Sequence, residues 1–202
     1  LNRSDTRISH QLYVGRIGRF EARDSYFHSG FKGPLLKSRA RENFIFNNRL
    51  SDEAGGHASY ELEFPNGGLA YVVGNLIQQS GETENSTMIS FGAERYWWPR
   101  NELYLVNNTL VDDFRRGGTF VRVYSGADRV MRMNNLLLGN GTVDVHGGNT
   151  TSQDFDGSTK DVPMADQQDY RLSARSRLVG TASDPGEANG MQLRQTREYV
   201  HP

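Results

Sequence analysis

An all-β chain wound as a parallel β-solenoid is the fold class this sequence predicts, and three observations support it. First, four short segments end on the same chemistry: NNRL at Asn47 to Leu50, GNLI at Gly74 to Ile77, NNTL at Asn107 to Leu110 and NNLL at Asn134 to Leu137. Their second asparagines, Asn48, Asn75, Asn108 and Asn135, are 27, 33 and 27 residues apart, and each follows an apolar or aromatic run. An asparagine recurring once per turn of a stacked coil can hydrogen-bond to its copies above and below, which satisfies amides that are costly to bury alone. Repeats of this period mark solenoids. Second, the chain holds 22 glycines and 10% Phe, Tyr and Trp but no long helical pattern, a balance that favours turn-rich β structure. Third, 202 residues suffice for one domain with a continuous core.

The coils follow in order. Leu12 to Ile17 pairs with Phe20 to Phe27, where the ladder position falls on Ser25 and the ladder begins imperfectly. Leu35 to Ala40 precedes Phe44 to Leu50, Tyr60 to Phe64 precedes Ala70 to Ile77, Thr87 to Phe91 precedes Leu103 to Leu110, and Phe120 to Tyr124 precedes Val130 to Leu138. A further strand, Thr142 to His146, opens a coil that the asparagine pattern does not complete, so five to six coils are expected over residues 1–146. The turns Gly55-Gly56, Pro65-Asn66-Gly67-Gly68, Gly117-Gly118 and Gly139-Asn140-Gly141 tolerate the tight or left-handed backbone of coil corners. Residues 147–202 are polar, with scattered anchors at Tyr170, Leu172, Leu178, Val179, Leu193 and Tyr199, and read as a capping or partly ordered tail. The chain begins at Leu1 without an initiator Met and reads as a piece of a longer precursor whose N-terminal coils precede it.

Composition excludes several partners. With 23 Lys and Arg against 24 Asp and Glu, no global basic field points to nucleic acid or a membrane surface. The absence of cysteine rules out disulfides and thiolate zinc sites. No apolar stretch is long enough for a membrane span, and no stretch reads as a signal peptide. Histidines 10, 28, 57, 146 and 201 lack metal-ligand spacing, while Asp112 and Asp113 read as solvated turn acids that are at most a weak calcium site.

Strand alternation sorts the side chains. With Leu36, Ser38 and Ala40 inward, Lys37 and Arg39 point outward; with Tyr60, Leu62 and Phe64 inward, Glu61 and Glu63 point outward. Lys37 to Glu61 and Arg39 to Glu63 are each 24 residues, one coil, so two cations and two carboxylates are expected on neighbouring rungs. The same face continues through Tyr13, Ser90, Arg122, Tyr124, Asp144 and His146. A solvated salt-bridge ladder would look the same. The fourth coil adds an insertion, Gly92 to Asn101, which holds Arg95, Tyr96, Trp97, Trp98 and Arg100. Ring faces suit the apolar C–H faces of sugars and the arginines suit carboxylates or sulfates. His57 lies on the turn into the carboxylate strand.

From Leu36 through Gln79, the run of KSRA, an NN segment, SYELEFPNGG and VVGNLIQ resembles right-handed parallel β-helix proteins of the pectate-lyase-like superfamily. The likeness is nearest to secreted β-helix proteins of Gram-negative bacteria and more distant to alginate-lyase and chondroitinase-B type polysaccharide lyases. It implies a secreted, periplasmic or cell-surface bacterial protein acting on an acidic polysaccharide by β-elimination. Lys37 would then be the general base, with Arg39 standing in for the family's arginine, while Glu61 and Glu63 would hold calcium; His57, from its place on the turn, is a further catalytic candidate. Tyr13, Arg95, Tyr96, Trp97, Trp98, Arg100, Arg122 and Tyr124 would bind substrate. The arginine such lyases carry one coil after the lysine is replaced here by Glu61-Leu62-Glu63. Hydrolysis by Glu61 and Glu63, or a non-catalytic glycan-binding adhesin or tailspike-like module, are the alternatives.

Overall fold

The computed structural model describes residues 8–197 and 199; His201 lies outside them. The chain is almost entirely β. Strands β1 (Leu12–Val14), β4 (Leu36–Ser38), β7 (Leu62–Phe64), β10 (Thr87–Phe91), β13 (Thr119–Val123) and β15 (Thr142–Val145) form one sheet in that order. A second run, β2 (Arg19–Arg23), β5 (Glu42–Phe46), β8 (Leu69–Val73) and β11 (Glu102–Val106), meets a third, β3 (Tyr26–His28), β6 (Arg49–Ser51), β9 (Leu76–Gln79) and β12 (Thr109–Asp112), on the long strand β14 (Arg129–Gly139). Strand β16 (Asn149–Gly157) pairs with β14, and every pairing in these sheets is parallel. The tiers enclose a core that includes Leu36, Ile45, Leu50, Phe64, Val72, Phe91 and Leu105.

The asparagine segments explain why there are three strands per tier where alternation suggested two. Asn47, Gly74 and Asn107 adopt positive φ of 53°, 70° and 54°, which bends the chain and splits the expected second strand. The asparagine after each bend points inward. Asn48 Nδ2 donates to Asn75 Oδ1 (3.1 Å), Asn75 to Asn108 (3.0 Å) and Asn108 to Asn135 (2.9 Å). Each Oδ1 also accepts the backbone N–H of the preceding tier's ladder residue, beginning with Ser25. The ladder runs one rung beyond the asparagines, because Asn135 Nδ2 donates to Asp154 Oδ1 at 2.8 Å. A carboxylate only accepts, so the amide chain stops there, and Arg132 balances its charge.

Corner geometry corrects one inward–outward assignment. Register pairs Leu36 with Leu62, Leu62 with Ile89 and Ile89 with Val121. Each of these residues is preceded by a second buried one: Leu35, Glu61, Met88 and Phe120. Two consecutive side chains therefore face the core where the chain turns into the first sheet, and alternation slips by one. Glu61 consequently sits between Leu35 and Met88, completely buried.

Beyond residue 146, β16 adds to the stack and the tail runs along its flank. Ala188 and Leu193 cover the outer aromatic stripe Phe44, Tyr71 and Tyr104, while Val162, Tyr170 and Leu178 cover Val111, Leu136 and Leu138. The short pair β17 (Glu187–Ala188) and β18 (Met191–Gln192) shapes the first of these contacts. Tyr199 reaches Tyr26 near the opposite end of the stack.

Candidate functional site

The outward face of the first sheet presents Tyr13, Lys37, Glu63, Ser90, Arg122 and Asp144 in continuous register. The cation on β4 therefore faces Glu63 rather than Glu61. Lys37 Nζ lies 3.0 Å from Glu63 Oε2, and Arg122 lies 2.9 Å from Asp144.

The insertion folds back over this face. Backbone bonds from Glu94 to Pro65 O (2.9 Å) and from Trp97 to Asn66 O (3.1 Å) tie it to the corner of an earlier tier. Glu94 then bridges both cations, with Oε1 2.9 Å from Lys37 Nζ and Oε2 2.6 Å from Arg39 Nη2. Arg39 also donates to Tyr13 Oη (2.7 Å) and Asn66 Oδ1 (2.6 Å). Burial pushes the Lys37 ammonium down, but hydrogen bonds and charge from Glu94 and Glu63 outweigh it and leave its pKa raised. Lys37 is therefore a protonated, covered cation, opposite to what a general base needs.

His10 was not singled out from the sequence, yet it joins this cluster. Its ring meets Tyr13 edge-on at 5.2 Å, and burial, with Lys37 and Arg39 nearby, lowers its pKa. Glu94, Asn66 and His10 were all missed. The one available signal was that an insertion beside two cations carries a carboxylate of its own.

The other expected residues divide by location. Trp97 is 43% exposed, with the guanidinium groups of Arg16 (3.0 Å) and Arg95 (5.1 Å) close to its ring. Tyr124 and Tyr13 are also exposed on this side, at 36% and 50%. Tyr96 instead fills a notch walled by Gly67, Gly92 and Gly126, where a Cβ at any of the three would strike its ring. Its hydroxyl donates to Tyr124 O at 2.6 Å, and burial raises its pKa. Trp98 folds against Gly68 with its indole N–H buried and unpaired. Arg100 turns away to Glu102 and Asn189. His57 packs on Phe31 and approaches Glu82 (3.5 Å), and among the described residues no hydrogen bond or ion pair joins it to Lys37 or Arg39.

The acids expected to hold calcium do not fit that ion. Glu61 projects into the core and Glu63 is engaged by Lys37, so they share no open site. Asp112 accepts the N–H groups of Phe114 and Gly118 and a Gln79 amide, and Asp113 accepts from Gln78, so both are committed to the turn. Among the described residues, no group of three or more His, Asp or Glu side chains is arranged for a metal ion. Likewise, no helix there is long and apolar enough to cross a membrane.

Comparison of the chain with protein-family models, with curated proteins and with solved structures found no match.

Proposed function

We propose that the chain is a right-handed parallel β-helix of five to six coils, resembling the pectate-lyase-like superfamily, whose first-sheet face binds an acidic polysaccharide. The observation that supports this best is the set of exposed rings of Tyr13, Trp97 and Tyr124 beside Arg39, Arg95 and Arg122. Rings supply stacking platforms for sugar faces, and guanidinium groups pair with carboxylates or sulfates in two-point contacts. A bacterial secreted or cell-surface location accords with such a partner. The protonated state of Lys37 favours a glycan-binding module over elimination by that lysine, and the burial of Glu61 disfavours hydrolysis by a Glu61–Glu63 pair.

Elimination remains the second reading for one reason: His10 is held neutral beside Tyr13 and Arg39 and is able to accept a proton. A panel of acidic polysaccharides, followed by affinity, ultraviolet absorbance and reducing-end release, separates the readings. Binding without product identifies the module, an unsaturated uronate identifies elimination, and the failure of every acidic glycan to bind rejects the proposal.

A further inference from the structure

The arrangement around Lys37 is unusual in where its charge balance comes from. Lys37 and Arg39 bring two positive charges to the outward face of β4, and Glu63 is a built-in, buried counter-ion for one of them. The second comes from the inserted loop, whose Glu94 side chain is 45% exposed while bonded to both cations. One carboxylate spanning an ammonium and a guanidinium is also the contact that a uronate carboxylate would make. We propose that Lys37 and Arg39 form a carboxylate-binding subsite that the protein's own Glu94 occupies and that a uronate group of the glycan takes over by displacing it.

This inference rests on the acidic-polysaccharide reading above. The geometry allows the exchange without moving the loop backbone. Loop residues stay anchored through Glu94 N–H to Pro65 O, Trp97 N–H to Asn66 O and the Tyr96 hydroxyl to Tyr124 O, so only the half-exposed Glu94 side chain has to rotate into water. The receiving site persists after it leaves, because Tyr13 and Asn66 hold the Arg39 guanidinium and Glu63 holds Lys37. An incoming carboxylate restores the same charge count, so no buried cation is left unpaired. A neutral sugar cannot, and the exchange therefore selects for acidic glycans. Burial pushes the Glu94 carboxyl up, but hydrogen bonds from Lys37 and Arg39 outweigh it and hold its pKa below the ordinary value. That depression gives a direct readout of occupancy.

The test is titration of the wild type and of Glu94→Gln with galacturonate and glucuronate oligomers, with neutral dextran oligomers as control. Removing the internal competitor should tighten binding of one or both uronate series by about tenfold or more, the equivalent of one charged hydrogen bond, and leave dextran unchanged. Uronate binding that is equal or weaker in Glu94→Gln shows that Glu94 is only a loop anchor; this overturns the inference and leaves the glycan-binding reading standing. If neither protein binds any uronate oligomer, the inference falls, while the glycan-binding reading still stands or falls on the full panel of acidic polysaccharides. Should Glu94→Gln fail to fold, the wild type suffices: on saturation with a bound uronate oligomer, the 13C carboxyl signal of Glu94 should titrate at an ordinary glutamate value. A titration still depressed on saturation overturns the inference.

Discussion

Glu61 should make this protein less stable as pH rises through the acid range, and replacing it should remove that loss. Its carboxyl lies in a stack otherwise made of Leu35, Met88 and Phe120, and among the described groups neither oxygen has a hydrogen-bond partner. Burial first, and then the carboxylates of Asp52 and Asp112, raise its pKa well above the ordinary value; its own backbone N–H, too poorly placed to form a hydrogen bond, opposes this only in part. The folded chain thus keeps a proton that the unfolded chain releases near pH 4.3. Stability from this group is fully present below that pH and is lost as pH rises toward the folded pKa. Within that window one proton costs about 1.4 kcal/mol per pH unit. Glu61→Gln keeps the size and removes the proton, so it should match the wild type near pH 4 and become progressively more stable above pH 5. Glu61→Leu should be more stable throughout, because it also removes unpaired buried oxygens that cost about 1–3 kcal/mol. Urea unfolding at pH 4, 5, 6 and 7 measures the slopes. Equal slopes for the wild type and Glu61→Gln would show instead that Glu61 is ionised or solvated in the folded state.

The ladder predicts that Asn75→Ala and Asn135→Ala cost similar amounts, about 2–4 kcal/mol each in urea unfolding, because Asp154 gives Asn135 a partner on both sides. A much smaller cost at Asn135 would mean that the Asp154 rung does not form. Gly92→Ala should destabilise by about 2 kcal/mol or more in a thermal melt, since φ there is 87° and the added methyl strikes the Tyr96 ring. Trp97→Ala should leave the melting temperature within about 2 °C of the wild type while weakening acidic-glycan affinity several-fold. Trp98→Ala should do the reverse.

What was legible in the sequence followed from side chains that recur once per tier. The NN pairs encode two functions at once, a left-handed bend and an inward amide; the amide was readable from its recurrence, whereas the bend, which splits the expected second strand, was not. The outward line Tyr13, Lys37, Ser90, Arg122 and Asp144 was likewise readable from alternation. Alternation failed at the corner because two successive residues turn inward there. The doublets Leu35-Leu36, Met88-Ile89 and Phe120-Val121 show this pattern, but Glu61-Leu62 hides it behind a charged residue that is assigned to solvent by default. The tail read only as a capping or partly ordered segment for a related reason. Its anchors are sparse, and the stripe they cover, Phe44, Tyr71 and Tyr104, lies on strand faces that point away from the core. The loop contacts of Glu94 were not legible, because they depend on how an insertion folds back across earlier tiers.

Hydrogen exchange of the intact chain, with and without a saturating acidic polysaccharide, reads out whether the first-sheet face is a binding surface for acidic glycan. Protection is expected in β4, β10, β13 and residues 92–100, with little change in residues 158–193. Protection confined to the tail flank, or none with any polysaccharide that binds, would contradict binding at that face.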